Sequence, residues 1–434
     1  MSSKAGNPKR VLVVGGGVAG LEIATQLGRS ARRNRNFEVT LLDADSAHIW
    51  KPMLHTIAAG TRDVYQQQVA YAAQARNSGF IYQPGEMCGL DRKAREVLVA
   101  PISASDGRLM MQGRRLPYDV LIMALGSQAN DFKTPGVFEH CYMIDSRTQA
   151  DNFNQELRIR MLQSMEEKTR LSISIVGGGA TGVELAAELV HLAQTADLYG
   201  GAGMSSRLKV CLIESGDRLL ASFPADISQS VKSRLEELGV TVLTSSTVGA
   251  AEENGFRLSD GELIESSLMI WAAGVKAPDF LYELDGLETA RNNQLVVLPS
   301  LQTTRDPAIF AVGDCASFTP VREQRPLPPT AQVAHQQAHH VINHLPAWLN
   351  GKPIPGYAYR NFGALVSLAQ YDAFGSLGKF GFLEGRSIRG HLAQLSHAML
   401  YRAHQSRIHG FWNGSLVWLV DRINARLRAL IRLD

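Results

Sequence analysis

Cysteine is scarce: Cys88, Cys141, Cys211 and Cys315 are spread through 434 residues, with no C-x-x-C or C-x4-C pair among them. That spacing excludes a disulfide framework and a zinc ribbon, and a reducing compartment fits it best. Long apolar runs are missing too. No stretch approaches the roughly 18 residues of a spanning helix, and the polar start "MSSKAGNPKR" does not read as a cleaved signal peptide. The formal charge is only +3, and no basic run is interleaved with aromatics, so nucleic acid is not an expected partner. With 45% hydrophobic and 20% charged residues the chain is neither disordered nor fibrous, and its length suggests two or three domains.

What is present in abundance is glycine at particular spacings. "RVLVVGGGVAGLEIATQLGRS" runs a short apolar strand, Val11 to Val14, into Gly15, Gly17 and Gly20 and then a helical pattern that carries Ala19. In G-x-G-x-x-G the first glycine makes a tight turn, the second lets the backbone approach a pyrophosphate, and the third packs helix on strand. The phosphate is then held by free amides and the dipole at the helix N-terminus. The next strand, "FEVTLLD", ends in Asp43, placed to hydrogen-bond a ribose. The pattern recurs in "LSISIVGGGATGVELAAEL", with Gly177, Gly179 and Gly182 before a helix expected from about Val183, and the later strand "LKVCLIES" delivers Glu214. A carboxylate there accepts a ribose 2′-OH and repels a 2′-phosphate, so the second site should prefer NADH to NADPH, although Arg218 lies nearby.

Two fingers in one chain suggest a flavin in the first domain and a nicotinamide in the second. "TTRDPAIFAVGDCA", with Gly313 and Asp314, resembles the element that closes the FAD domain in flavoproteins with two dinucleotide-binding domains. "YDVLIMALGS", which holds Gly126, and "SLMIWAAGV", which holds Gly274, resemble that superfamily's two crossover strands. Within it, "HIWKPMLHTIAAG", "GGGATGVELAAEL", "AAGVKAP", "AQVAHQQA" and an amphipathic C-terminus together resemble the type II (alternative) NADH:quinone oxidoreductases. The resemblance implies a peripheral homodimer on the cytoplasmic face of the inner membrane, passing two electrons from NADH through FAD to a quinone without pumping protons. The implied architecture is α/β. It comprises an FAD domain in two parts, 1–145 and 291–345, an NADH domain at 146–290, and a C-terminal domain at 346–434 ending in a membrane-associating helix.

The resemblance also assigns residues. Gly15, Gly17, Ala19, Gly20, Asp43, Lys51, Gly126, Asp314, Ala331 and Gln332 would hold FAD, with Lys379 a weaker candidate near the flavin. Gly177, Gly179, Gly182, Glu184, Glu214 and Gly274 would hold NADH. Glu184 would position the nicotinamide or handle a proton. Prolines 326, 328 and 329 keep the chain extended until a helix starts near Thr330, whose N-terminus would favour the negative charge that electrons bring to the flavin ring. Gln332 and Gln336, at i and i+4 on that helix, would hydrogen-bond quinone oxygens. His335 and His339 have zinc-helix spacing, but Gln336 stands where a general base is needed and no third ligand follows, so no metal is expected. His335 is a conceivable proton donor, though a histidine on such a helix is more often solvated or packed.

In the tail "SLVWLVDRINARLRALIRLD", Leu416, Leu419, Val420, Ile423, Leu427, Leu430 and Ile431 fall on one helical face, with Asp421, Arg428 and Arg432 opposite. From residue 386 onward eight arginines meet two aspartates, and Trp412 and Trp418 suit a headgroup layer. A helix lying on an anionic bilayer follows, with docking on the protein's own core or a dimer partner as the other reading. Two other functions stay open. A sulfide:quinone oxidoreductase would need a cysteine pair, for which only Cys141 and Cys315 are plausible, and a redox-signalling flavoprotein would oxidise NADH only incidentally.

Overall fold

Val11, Leu12, Val13 and Val14 are all buried, so this strand is apolar on both faces, as expected of a strand inside a parallel sheet. The computed structural model, which describes residues 7–62, 68–200, 203–321, 323–378 and 387–427, places it there. Lys9–Val14 pairs in parallel with Phe37–Asp43 on one side and Val120–Met123 on the other. Ile81–Pro84 and Ile309–Ala311 complete a five-stranded sheet. The first finger's helix is Val18–Asn34.

The second finger is built by the same logic. Leu171–Val176 lies between Leu208–Ile213 and Leu268–Trp271, with Thr241–Leu243 and Tyr142–Met143 outside them, again all parallel. In both sheets the finger strand is flanked by the strand that ends near its acid and by the strand expected as a crossover. The second helix, Ala180–Leu198, begins three residues before the expected Val183. Its first turn therefore contains the last glycine of the finger, as the first helix also does.

Compactness divides the chain into two units. One gathers Met1–Trp50, Gln67–Gln128 and Val275–Tyr359; the other gathers Lys51–Gln66, Ala129–Gly274 and Arg360–Asp434. These lines differ from the four expected ranges for two physical reasons. The short helix Leu54–Ala58 packs against the helices Arg147–Glu167 and Ala180–Leu198, which carries residues 51–66 into the second unit. The C-terminal part is not separate either: its sheet Gly363–Leu368, Asp372–Leu377 and Ser387–Arg389 packs on the helix Ala180–Leu198.

Two C-terminal helices follow, His391–His409 and Phe411–Leu427, packed on each other. The second begins before the quoted tail segment. Among its described residues Trp412, Leu416, Leu419, Val420 and Ile423 are exposed, whereas Trp418 is half-buried with the Arg402 guanidinium 3.7 Å from its ring centroid. Arg428, Leu430, Ile431, Arg432 and Lys379 lie outside the described residues. Among the described residues no helix is long and apolar enough to cross a membrane.

Candidate active site

The first finger is tight where its glycines require it and open where a ligand would enter. Gly15 has φ 95°, and a Cβ there would stand 2.3 Å from the Ala124 carbonyl oxygen. A Cβ on Gly20 would stand 1.7 Å from the Gly15 oxygen, so the helix docks on the strand only with glycine at this position. Around a Cβ on Gly17 there is nothing within 4 Å, which leaves open space beside the first-turn amides for a diphosphate. Asp43 accepts the Gly16 amide and, at 2.8 Å, the Asp45 amide, while burial pushes its carboxyl up to about 6. The Gly16 carbonyl accepts the Tyr71 hydroxyl at 2.9 Å and lies 2.9 Å from His48 Nδ1. Ala19 is buried in the helix, and Gly126 ends the neighbouring strand's turn with open space around it.

The second finger repeats this. A Cβ on Gly177 would stand 2.7 Å from the Ala272 carbonyl group, a Cβ on Gly182 would stand 2.0 Å from the Gly177 oxygen, and Gly179 again faces open space. Glu214 accepts the Gly178 and Gly216 amides, each at 2.6 Å, so its carboxylate is fixed at the finger before any ribose arrives. Arg218 is turned to the Ala221 carbonyl at 3.0 Å. Gly274, at φ 62°, sits where a Cβ would stand 2.5 Å from the Phe132 ring.

Glu184 is buried within the second unit. Its Oε1 accepts the Ser367 amide at 3.0 Å, and its Oε2 lies 3.4 Å from His55 Nδ1. Loss of solvation outweighs that amide and pushes the carboxyl up to about 8, with the nearby Glu188 adding to the shift. Glu184 therefore holds a proton at neutral pH and can give it up.

The helix expected near Thr330 runs Ala331–Trp348, with the Thr330 hydroxyl accepting the Val333 amide at 3.3 Å. Such a cap contributes about 1 kcal/mol. Gln332 accepts the Tyr359 hydroxyl at 2.8 Å, and Ala331 and Gln336 are half-buried on the same helix. Gln337 points the other way and accepts the Gly313 amide at 2.7 Å, which ties the helix to the Gly-Asp turn. Asp314 accepts the Ser127 hydroxyl at 2.8 Å and lines a cleft of about 150 Å³ with Lys276, Gln294 and Pro326–Pro329. His335 Nδ1 is in direct contact with the buried Glu22 carboxylate, and His339 lies 3.1 Å from the Asn343 amide. The two histidines thus serve different neighbours, and no cluster of three or more metal-ligating side chains occurs among the described residues. Lys51 belongs to the second unit, where its Nζ lies 3.4 Å from Asp145.

The cysteines do not form a redox centre. Burial pushes Cys141 up to about 12 and Cys315 to about 11, and Cys315 donates to the Met123 and Val312 carbonyls. Neither is a thiolate at neutral pH.

The pyridine nucleotide-disulphide oxidoreductase family model matches residues 9–338. A type II NADH:quinone oxidoreductase of Haemophilus influenzae is 39% identical, over 98% of this chain and 100% of its own. The chain belongs to the type II NADH:quinone oxidoreductase family. Among solved structures, NDH2 from Plasmodium falciparum in complex with NADH superposes with a TM-score of 0.82 at 19% identity, covering 98% of this chain and 100% of that one. A sulfide:quinone oxidoreductase from Aquifex aeolicus reaches a TM-score of 0.71 at 17% identity, covering 93% of this chain and 92% of that one. Both likenesses establish the fold alone. In this type II family member all four cysteines are free thiols, and burial keeps Cys141 and Cys315 protonated.

Several residues at the site carried no clear sequence signal. Tyr71, Tyr359 and Gln337 are brought in by tertiary packing. His55 lies inside the quoted "HIWKPMLHTIAAG", and Glu188 four residues after Glu184 in "VELAAEL"; the helical spacing of the two acids was legible, but their burial was not.

Proposed function

We propose that the protein oxidises NADH and passes two electrons through a bound FAD to a membrane quinone, without proton pumping. The end-to-end match to a type II NADH:quinone oxidoreductase carries this reading. Gly15, Gly17, Ala19, Gly20 and Asp43 hold the adenine side of FAD, with Gly126, Asp314, Ala331, Gln332 and Lys51 toward the flavin. Gly177, Gly179, Gly182, Glu214 and Gly274 hold NADH. When bound, FAD supplies the two-electron carrier that separates the two substrates' chemistry. The chain's own residues do the rest. Glu214 accepts the ribose hydroxyls, Glu184 keeps a proton beside the nicotinamide, and Gln332 and Gln336 offer uncharged hydrogen bonds to quinone oxygens. Open space at Gly17 and Gly179 supports two dinucleotides per chain.

The quinone is lipid-soluble, and the exposed apolar residues of the last helix support a peripheral site at the cytoplasmic face of the inner membrane. A homodimer is part of the same reading. Anaerobic stopped-flow tests it: NADH should bleach the flavin much faster than NADPH, and a short water-soluble quinone should restore it. Gln332→Leu or Gln336→Leu should slow the second half-reaction about tenfold and spare the first. Equal slowing of both would replace the quinone-side role with one in flavin packing. A long-chain quinone in vesicles should be reduced by the full chain, and poorly after deletion of residues 411–434.

A further inference from the structure

Arg114 opens the last strand of a three-stranded antiparallel sheet in the first unit, in the order Arg114–Pro117, Glu96–Val99 and Met87–Asp91. Its guanidinium is only partly used. Nη2 donates to the Pro84 carbonyl, whereas Nε and Nη1 are buried and have no hydrogen-bond partner. A buried N–H on a charged group is costly to leave unpaired, so two on one side chain point to an acceptor that arrives from outside the chain.

The position of those donors identifies the acceptor. Pro84 ends Ile81–Pro84, the edge strand of the first parallel sheet, and the next amide, that of Gly85, donates to the Asp43 carbonyl at 2.9 Å. The guanidinium lies over Gly85, where a Cβ would stand 3.4 Å from Nη2, 3.6 Å from Nη1 and 2.6 Å from the Val99 side chain. Glycine there, at φ 147°, brings the charge close to bare backbone. Lys9–Val14, Phe37–Asp43 and Ile81–Pro84 are parallel neighbours, so the finger, Asp43 and the Arg114 guanidinium share the sheet's carboxyl edge. Open α/β sheets take their ligands at that edge. Neighbouring strands are about 4.8 Å apart, which puts Ile81–Pro84 about 10 Å from the finger strand and beyond the acid placed for a ribose. The diphosphate belongs at the finger's amides, so the part of a dinucleotide left for Arg114 is the base.

We propose that Arg114 recognises the adenine of FAD, its Nε and Nη1 hydrogens donating to ring nitrogens of the purine. The inference rests on the reading above that the first finger holds FAD. An adenine ring offers N3 and N7 as acceptors, and an arginine offers donors only. Asp43 supplies the opposite character for the ribose hydroxyls, so the two residues divide the nucleoside between them. Neither duty extends to the flavin ring. Arg114 therefore sets how tightly the cofactor is retained and takes no part in electron transfer.

The test is FAD release from the loaded full-length chain, read by the fluorescence of freed flavin, with denaturant melts of the loaded and the flavin-stripped protein beside it. Arg114→Met keeps the length of the side chain but none of its donors. It should release FAD about tenfold or more faster, and bind ADP offered to the stripped chain about tenfold more weakly. FMN, which lacks adenosine, should bind both proteins alike. Arg114→Lys should recover only part of the loss, since an ammonium donates without the planar fork. The stripped variant should melt no earlier than stripped wild type, because loss of the Pro84 contact is offset by removal of two unpaired buried donors. Release of FAD at the wild-type rate, or a loss of stability equal in loaded and stripped protein, would leave Arg114 as a prop for Pro84 and overturn the proposal. If Arg114→Met does not fold, Arg114→Lys decides: ADP binding at the wild-type affinity sinks the proposal, and weakened ADP binding with unchanged FMN binding supports it. A wild type that takes up no FAD would instead sink the function proposed above.

Discussion

The two glycine fingers are near copies, and they differ in the surroundings of the glutamate that follows each one. In both, a Cβ on the first or last glycine would strike backbone, the residue after the first glycine (Gly16 or Gly178) donates its amide to the acid of the next strand, and a glutamate follows two residues after the last glycine. In both, that glutamate is buried with a histidine Nδ1 near it. Glu22 is in direct contact with His335, a partner of opposite kind supplied by a helix packed along its own. Glu184 has His55 Nδ1 at 3.4 Å, takes one backbone amide, and has a second acid a turn away. The first contact joins two helices that pack along each other. In the second, burial and the neighbouring acid raise the carboxyl to about 8, so it keeps its proton at neutral pH.

The sharpest way to break this comparison is to spoil one finger at a time. Gly182→Ala should retain the flavin colour and lose reduction by NADH, whereas Gly20→Ala should lose the flavin. Each methyl meets a carbonyl oxygen and forces about 3 kcal/mol or more of local strain. Absorbance and anaerobic NADH titration read the outcome, and loss of both ligands in both variants would deny the fingers separate duties.

Exchange of the two glutamates should act on stability with opposite signs. A carboxyl raised in the folded state binds a proton that the unfolded chain has already released, so Glu184 costs stability progressively as pH climbs from 4.5 to about 8. Glu184→Gln should therefore gain over wild type across that window, by on the order of a few kcal/mol at its upper end, and match it below pH 4.5. Glu22→Gln should instead lose about 1 to 3 kcal/mol, because it disturbs a buried polar contact with His335. Denaturant melts at pH 4 and pH 8.5 check both, and a Glu184→Gln protein no more stable than wild type at the higher pH would contradict the reading of Glu184.

The smallest expected difference lies in the strand-end acids. Glu214→Gln should narrow the preference for NADH over NADPH about tenfold, or about 1.4 kcal/mol, by removing repulsion of a 2′-phosphate. Asp43→Asn should leave that ratio alone. Initial rates with the two nucleotides decide it, and an equal response would mean that neither acid reads the ribose.

The fingers, their acids, the strands beside them and the helix at Ala331 were legible in the sequence because each is local. A glycine spacing, an apolar run ending in an acid, and a proline stretch before a cap act within about 30 residues. The pairing of His335 with Glu22 was not legible, since those residues are 313 apart and meet only because their helices pack. Nor was the allotment of residues 51–66 and the C-terminal sheet to the second unit, which follows from where the helix Leu54–Ala58 and the strand Gly363–Leu368 find apolar surface.

The sequence by itself determined two tight turns that each lead a strand into a helix, because a Cβ at Gly15, Gly20, Gly177 or Gly182 would meet backbone. Only the tertiary structure decided that Glu22 meets His335 and that Glu184 is buried deeply enough to keep its proton. Solvation and neighbours set a carboxyl's charge, and both depend on what distant segments lay against it.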